Sequence, residues 1–175
     1  MKRADKYVIN FGSLPKGLHE FVFEVGDEFF TQFDHTIVEK AEVDVLVNID
    51  KQDYLLLLDF TIEGTVFLPC DRCGEEMGVQ LEGYNELIVK FGEEAKEESE
   101  DVIVLPSKAH EIDVAQFIYE YVTTLIPLRN VHEDDENGNS TCNPDVLKEL
   151  EKYQPHEEKK TSDPRWDVLK NINPN

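Results

Sequence analysis

Residues 54–68 alternate in polarity: Tyr54, Leu56, Leu58, Phe60, Ile62, Val66 and Leu68 share one face, and Asp59, Thr61, Glu63 and Thr65 share the other. A period of two over this length predicts a long antiparallel strand with one buried and one wet face. Residues 41–49 repeat the pattern, with Ala41, Val43, Val45, Val47 and Ile49 inward against Glu42, Asp44 and Asn48. The polar Asp50-Lys51-Gln52-Asp53 between the two suits a hairpin turn. A third strand is predicted at 79–91, where Val79, Leu81, Leu87, Val89 and Phe91 are in phase. Gly83 and Asn85 fall in the same phase and predict a bulge or bend midway. Tyr7, Ile9 and Phe11, then Phe21 and Phe23, predict two shorter strands. Residues 26–33 fit a helical turn or a continued strand, and the pattern does not choose between them.

Residues 93–101 carry six acids in nine positions, which predicts a solvated loop. Beyond them the period changes. Val114, Phe117, Ile118, Tyr121, Val122 and Leu125 follow helical spacing, with Asp113 and Gln116 placed as a capping box and Pro127 as the stop. A second helix is predicted from Asn143-Pro144, a cap followed by proline at the first helical position, with Val146, Leu147, Leu150 and Tyr153 as its apolar stripe. Asp163-Pro164 repeats the device ahead of Trp166 and Leu169. Strands first and helices after predict an α+β fold. The expectation is an antiparallel sheet or partly open barrel in the N-terminal half, with two to three helices in the C-terminal half. Residues 1–155 form the expected single domain. Residues 156–175 are expected to be a polar linker and a short docking segment.

Composition narrows the class. The 175 residues hold 17 Lys and Arg against 38 Asp and Glu, a formal net charge of −21. This length is that of one domain, and a chain of about 150 residues buries roughly 70% of its unfolded surface, enough for a core without staples. With 40% hydrophobic residues, full-length disorder is not expected. No apolar run approaches the roughly 20 residues of a membrane-spanning helix. The basic residues at Lys2, Arg3 and Lys6 have no apolar stretch behind them, so no signal peptide is expected. Three cysteines make no disulfide framework, which points to a cytoplasmic chain. The acidity also argues against gripping a phosphate backbone directly, because that affinity comes from Lys and Arg releasing counterions. It favours basic protein partners, among them ribosomal proteins.

The sharpest chemical signal is Cys70-Asp71-Arg72-Cys73-Gly74, at the tip of a predicted hairpin. Two thiolates two residues apart can share one tetrahedral metal, and glycine after the second allows the positive φ such a turn needs. Two other readings stand beside it: a reduced structural turn, and redox chemistry on Cys70 and Cys73. The redox reading wants a helix N-terminus at the first thiol, whereas Glu75 and Glu76 follow here and are expected to raise a thiol pKa. A half-site needs a second pair. His132 and Cys142, spaced H-x9-C with Asn137-Gly138-Asn139 as a turn between them, would complete a Cys3His structural zinc set. His132 also fits a plain surface residue beside 133–136. His19, His35, His110 and His156 sit in unrelated segments and read as surface or packing residues. Trp166 beside Arg165 suits a packing anchor first and a partner contact second. No Walker loop, G-x-G-x-x-G, G-x-S-x-G or H-E-x-x-H is present.

Taken in order along 40–172, these pieces resemble the YceD family of bacterial large-ribosomal-RNA accumulation proteins, long described as a domain of unknown function. The match rests on the C-x-R-C turn (Cys70, Arg72, Cys73) after long strands, and on the Leu125-Ile126-Pro127 corner followed by Val131-His132 and Cys142. Its third part is the terminal segment from Asp163-Pro164-Arg165-Trp166 through Leu169 and Ile172. The Asp-Pro-Arg-Trp and Cys-Asn-Pro forms look like the version found in Bacteroidetes-type bacteria. One departure is the long acidic stretch between His132 and Cys142. The resemblance implies a non-enzymatic role in large-subunit ribosomal RNA accumulation and ribosome assembly. Acidity adds the expectation that it acts through large-subunit ribosomal proteins or assembly factors, with Arg72, Arg165 and Trp166 as contact residues. The resemblance also strengthens reading the four Cys and His residues as one site.

Overall fold

The structure, a computed structural model, describes residues 7–99 and 101–153. It opens with a short strand β1 (Val8–Ile9) and a 3-10 turn at Phe11–Ser13. Then follow β2 (Gly17–Gly26), α1 (Asp27–Phe30), β3 (Lys40–Lys51), β4 (Leu55–Pro69) and β5 (Glu76–Gly92). The chain continues with β6 (Lys96–Ser99), β7 (Val102–Pro106), β8 (Ile112–Asp113), α2 (Ala115–Leu125) and α3 (Pro144–Tyr153). The fold is α+β. The main sheet has six strands in the order β2-β3-β4-β5-β7-β6, and β1 pairs with β8 in a separate two-stranded sheet.

The period-2 stretches become β3 and β4, joined through the turn where Gln52 N–H donates to Leu55 O at 3.0 Å. The undecided stretch 26–33 resolves as a single helical turn, α1, whose Phe29 and Phe30 are fully packed. The bulge offered for the third strand and the loop expected at 93–101 need correction. No register shift interrupts β5, whose pairing with β4 runs unbroken from Leu55↔Lys90 to Pro69↔Glu76. Gly83 makes room: a Cβ there would lie 2.5 Å from the Leu125 methyls, so its absence lets α2 lie against the strand. The acidic stretch 93–101 is not all loop, since residues 96–99 form β6, antiparallel to β7 at the sheet's edge. The sheet is also mixed, because β7 runs parallel to β5.

The core lies on one face of the sheet. Val43, Val45, Val47, Ile49, Leu56, Leu58, Phe60, Ile62, Leu87 and Val89 point inward and are buried. Tyr7, Ile9, Phe11, α1 and α2 cover them, with Ile118 and Val122 fully buried and Tyr121 edge-on to Phe60 at 5.1 Å. At the start of α2, Asp113 Oδ1 accepts from Ala115 N–H at 2.9 Å, while Gln116 donates forward to Glu120. Ile126 is extended ahead of Pro127, which ends the helix because a pre-proline residue is pushed out of the α region. α3 starts where expected, but Val146, Leu147, Leu150 and Tyr153 are not buried. The expected terminal helix after Asp163-Pro164 lies outside the described residues. No helix among the described residues is long and apolar enough to cross a membrane.

Candidate metal centre

The β4–β5 connection is a tight knuckle built from backbone hydrogen bonds. Cys70 N–H donates to Glu75 O and Gly74 N–H donates to Cys70 O, each at 2.8 Å. Gly74 takes φ +76°, a region that a side chain disfavours, so the reversal needs glycine. Arg72 N–H then points at Cys70 Sγ, 3.4 Å away.

The segment after Pro127 folds down onto this knuckle. Asp71 and Asn130 bind reciprocally, Asp71 N–H to Asn130 O at 2.7 Å and Asn130 N–H to Asp71 Oδ2 at 2.6 Å. Arg72 Nη1 donates to Ser140 Oγ at 2.9 Å, and Asn143 Nδ2 donates to Glu75 Oε1 at 2.6 Å. Within the segment, Asp134 and Ser140 form an antiparallel bridge. The turn between them is closed by Asp135 Oδ1, which accepts from Asn137 and Asn139 N–H, and those bonds hold the Asp135 carboxyl below its usual range. Gly138 sits in this turn at φ +80°. The reversal at 137–139 therefore brings His132 and Cys142 side by side.

The four ligand atoms of Cys70, Cys73, His132 and Cys142 lie within 4.8 Å of one another. Cys70 Sγ is 3.8 Å from Cys142 Sγ, and His132 Nδ1 is 3.5 Å from Cys73 Sγ and 3.8 Å from Cys142 Sγ. Tetrahedral zinc with Zn–S near 2.3 Å and Zn–N near 2.05 Å implies edges of about 3.8 Å between sulfurs and about 3.6 Å from sulfur to nitrogen. The donor set is one that could hold a metal ion, and these three separations match the edges of a zinc tetrahedron. All three cysteines are free thiols, Cys70 and Cys142 buried and Cys73 half-buried.

The electrostatics correct one expectation. Nearby acids do not set the Cys70 thiol: burial is the largest influence and opposes ionisation. The backbone donors of Cys73, His132 and Arg72, with the His132 side chain, outweigh it and bring Cys70 down to about 6. Cys142 is raised, first by burial and against the hydrogen bond from Ser140. Neither Cys70 nor Cys73 lies at a helix N-terminus, whereas Cys142 immediately precedes Asn143, the cap of α3, and Cys70 Sγ contacts Cys142 Sγ.

Residues 58–173 match the family described as large ribosomal RNA subunit accumulation protein YceD. The chain belongs to the YceD family. The matched region contains the knuckle, His132, Cys142 and α3. No curated protein and no solved structure matches the chain. Arg72 is half-buried and tied to Ser140, whereas Arg165, Trp166 and His156 lie outside the described residues. His19 bonds Pro15 O at the surface, and His35 and His110 stand apart from the cluster. Sequence reasoning named Asn143 only as a helix cap and missed Asn130 and Ser140; the clasp partners of all three lie 59 to 68 positions away and leave no local pattern.

Proposed function

We propose that this chain is a non-enzymatic cytoplasmic factor that supports large-subunit ribosomal RNA accumulation and ribosome assembly through basic protein partners. A structural zinc held by Cys70, Cys73, His132 and Cys142 is part of that reading. The observation that carries the zinc is the match of the ligand spacings, 3.5 and 3.8 Å, to the edges of a zinc tetrahedron. The family match carries the assembly role. Partners are large-subunit ribosomal proteins or assembly factors, because a net charge of −21 repels phosphate. Residues 1–155 act as one domain, and 156–175 supply a linker and docking segment. Arg165, Trp166 and the half-buried Arg72 are the proposed contacts.

A redox protein using Cys70 and Cys73 is the rival reading, and elemental analysis separates the two. The full chain, purified without a metal-binding tag, is expected to carry one zinc, and Cys70→Ser to lose it. A metal-free natural chain that forms a reversible disulfide would replace the zinc reading. For the assembly role, the chain is expected to co-sediment with large-subunit precursor particles, and its loss to lower large- relative to small-subunit ribosomal RNA. An unchanged ratio would sink that role.

A further inference from the structure

Among the described residues, no element covers the second face of the sheet over β2 to β5. None of the outward-facing residues of β2 to β5 is buried, while their inward neighbours form the core. The strand register sorts this face into rows that run across the strands. One row joins Glu24, Asp44, Glu63 and Glu82, each directly opposite the next on neighbouring strands. Side chains so placed have Cβ atoms about 5 Å apart, and like charges in that relation are destabilising. Among the described residues, no ion pair engages Asp44, Glu63 or Glu82.

The next row is apolar. Val22, Leu46, Thr61 and Tyr84 line up, with Val22 63% and Tyr84 57% exposed. Beyond it lies a second polar row, in which Asp59 and Glu86 face each other and both accept from the Tyr84 hydroxyl, at 3.0 and 2.9 Å. Two acidic rows thus flank an exposed apolar row, with about 7 Å between adjacent rows because outward positions repeat every second residue.

We propose that this face docks a Lys/Arg-rich segment of a partner protein, with an apolar side chain on the central row and cations on the acidic rows. Folding gains nothing from a like-charged row over exposed valine and tyrosine, whereas a basic amphipathic segment would neutralise the charges and cover the apolar strip. Nucleic acid is excluded by the same charges. The chain's own segment 156–175 is no match, since its four Lys and Arg are balanced by four acids. The inference rests on the protein-partner reading above and names the surface that meets the partner.

The test uses a cationic peptide of Lys, Ala and Leu as probe, with the full-length chain. Affinity is compared between the natural chain, a face variant (Asp44→Asn, Glu63→Gln, Glu82→Gln) and a charge-matched control on another surface (Glu133→Gln, Glu136→Gln, Glu151→Gln). The face variant is expected to lose about tenfold, since each exposed charge pair contributes modestly, and the control less than about twofold. Val22→Ser is expected to weaken binding further without changing its salt dependence. Relief of repulsion is expected to raise the thermal midpoint of the face variant, which guards against misfolding as an explanation. Equal losses in both triples, or none in either, overturn the proposal. Crosslinks from Lys2, Lys6, Lys159 or Lys160 to Glu63 or Glu82 in the isolated chain overturn it too, because a terminus would then own the face. Particle co-sedimentation separates the two claims. A natural chain absent from particles removes the assembly role, and retention of the face variant on particles removes only the docking surface.

Discussion

Ser140 Oγ joins the two halves of the candidate centre. It accepts from Arg72 Nη1 on the knuckle at 2.9 Å and from Cys142 N–H at 3.3 Å, so one hydroxyl ties the backbone of the Cys142 loop to the Arg72 side chain of the knuckle. Groups that orient metal ligands without touching the metal commonly account for ten- to a hundredfold in affinity. Ser140→Ala is therefore expected to lower zinc affinity by about tenfold or more, measured by transfer to a chromophoric chelator. Its cost in stability is expected to be only about 1 kcal/mol, because water can reach the half-buried guanidinium in place of the hydroxyl. Ser140→Thr keeps the acceptor and is expected to restore transfer to near the natural rate. If Ser140→Ala transfers zinc at the natural rate, the clasp has no part in ligand positioning.

At the scale of elements, α3 owes its start to one side chain. Asn143 Oδ1 accepts from Asp145 N–H at 2.9 Å and from Val146 N–H at 3.4 Å, while its amide nitrogen binds Glu75 on the knuckle. With no buried residue in the helix, tertiary packing contributes little to holding it. Asn143→Ala is expected to cost about 1 kcal/mol, spent locally. Amides of residues 145–153 should exchange faster while those of β3 and β4 are unchanged, and equal exchange in both regions would refute the local account. This helix was legible from Asn143-Pro144 because caps act within a few residues, and β3 and β4 were legible because one-sided burial imposes a period of two. β7 was not, since Val102–Pro106 lies between two strands and reads as a short apolar run without alternation. β6 was hidden by its charges, which an edge strand tolerates and a loop shares. At the site, the knuckle was visible from Cys70 and Cys73 and the turn from 137–139. The clasp bonds were not, because they join residues 59 to 68 positions apart.

For the whole molecule, the core and the candidate centre are separate structures that share β4 and β5. The hydrophobic cluster runs from Tyr7 to Val122 and includes none of the three cysteines. Among the described residues beyond Leu125, Cys142 alone is buried. Ile126 still packs against the core, but the segment 127–153 is held to the sheet by the Asp71–Asn130, Arg72–Ser140 and Glu75–Asn143 bonds and by the Cys/His cluster, with Cys142 its one buried residue. In small zinc domains the metal's binding energy is the folding energy, because no other core exists. Here a core exists without it. Removing zinc with a chelator is accordingly expected to release this segment and leave the sheet intact. Hydrogen exchange in 128–153 should accelerate at least about tenfold, with 41–68 unchanged and cooperative thermal unfolding retained. Readdition of zinc should restore protection, and Cys142→Ser should resemble the chelated chain whether or not zinc is added. Collapse of the sheet on chelation would instead mean that the knuckle at the end of β4 and β5 holds those strands in register, which their fifteen paired positions already do.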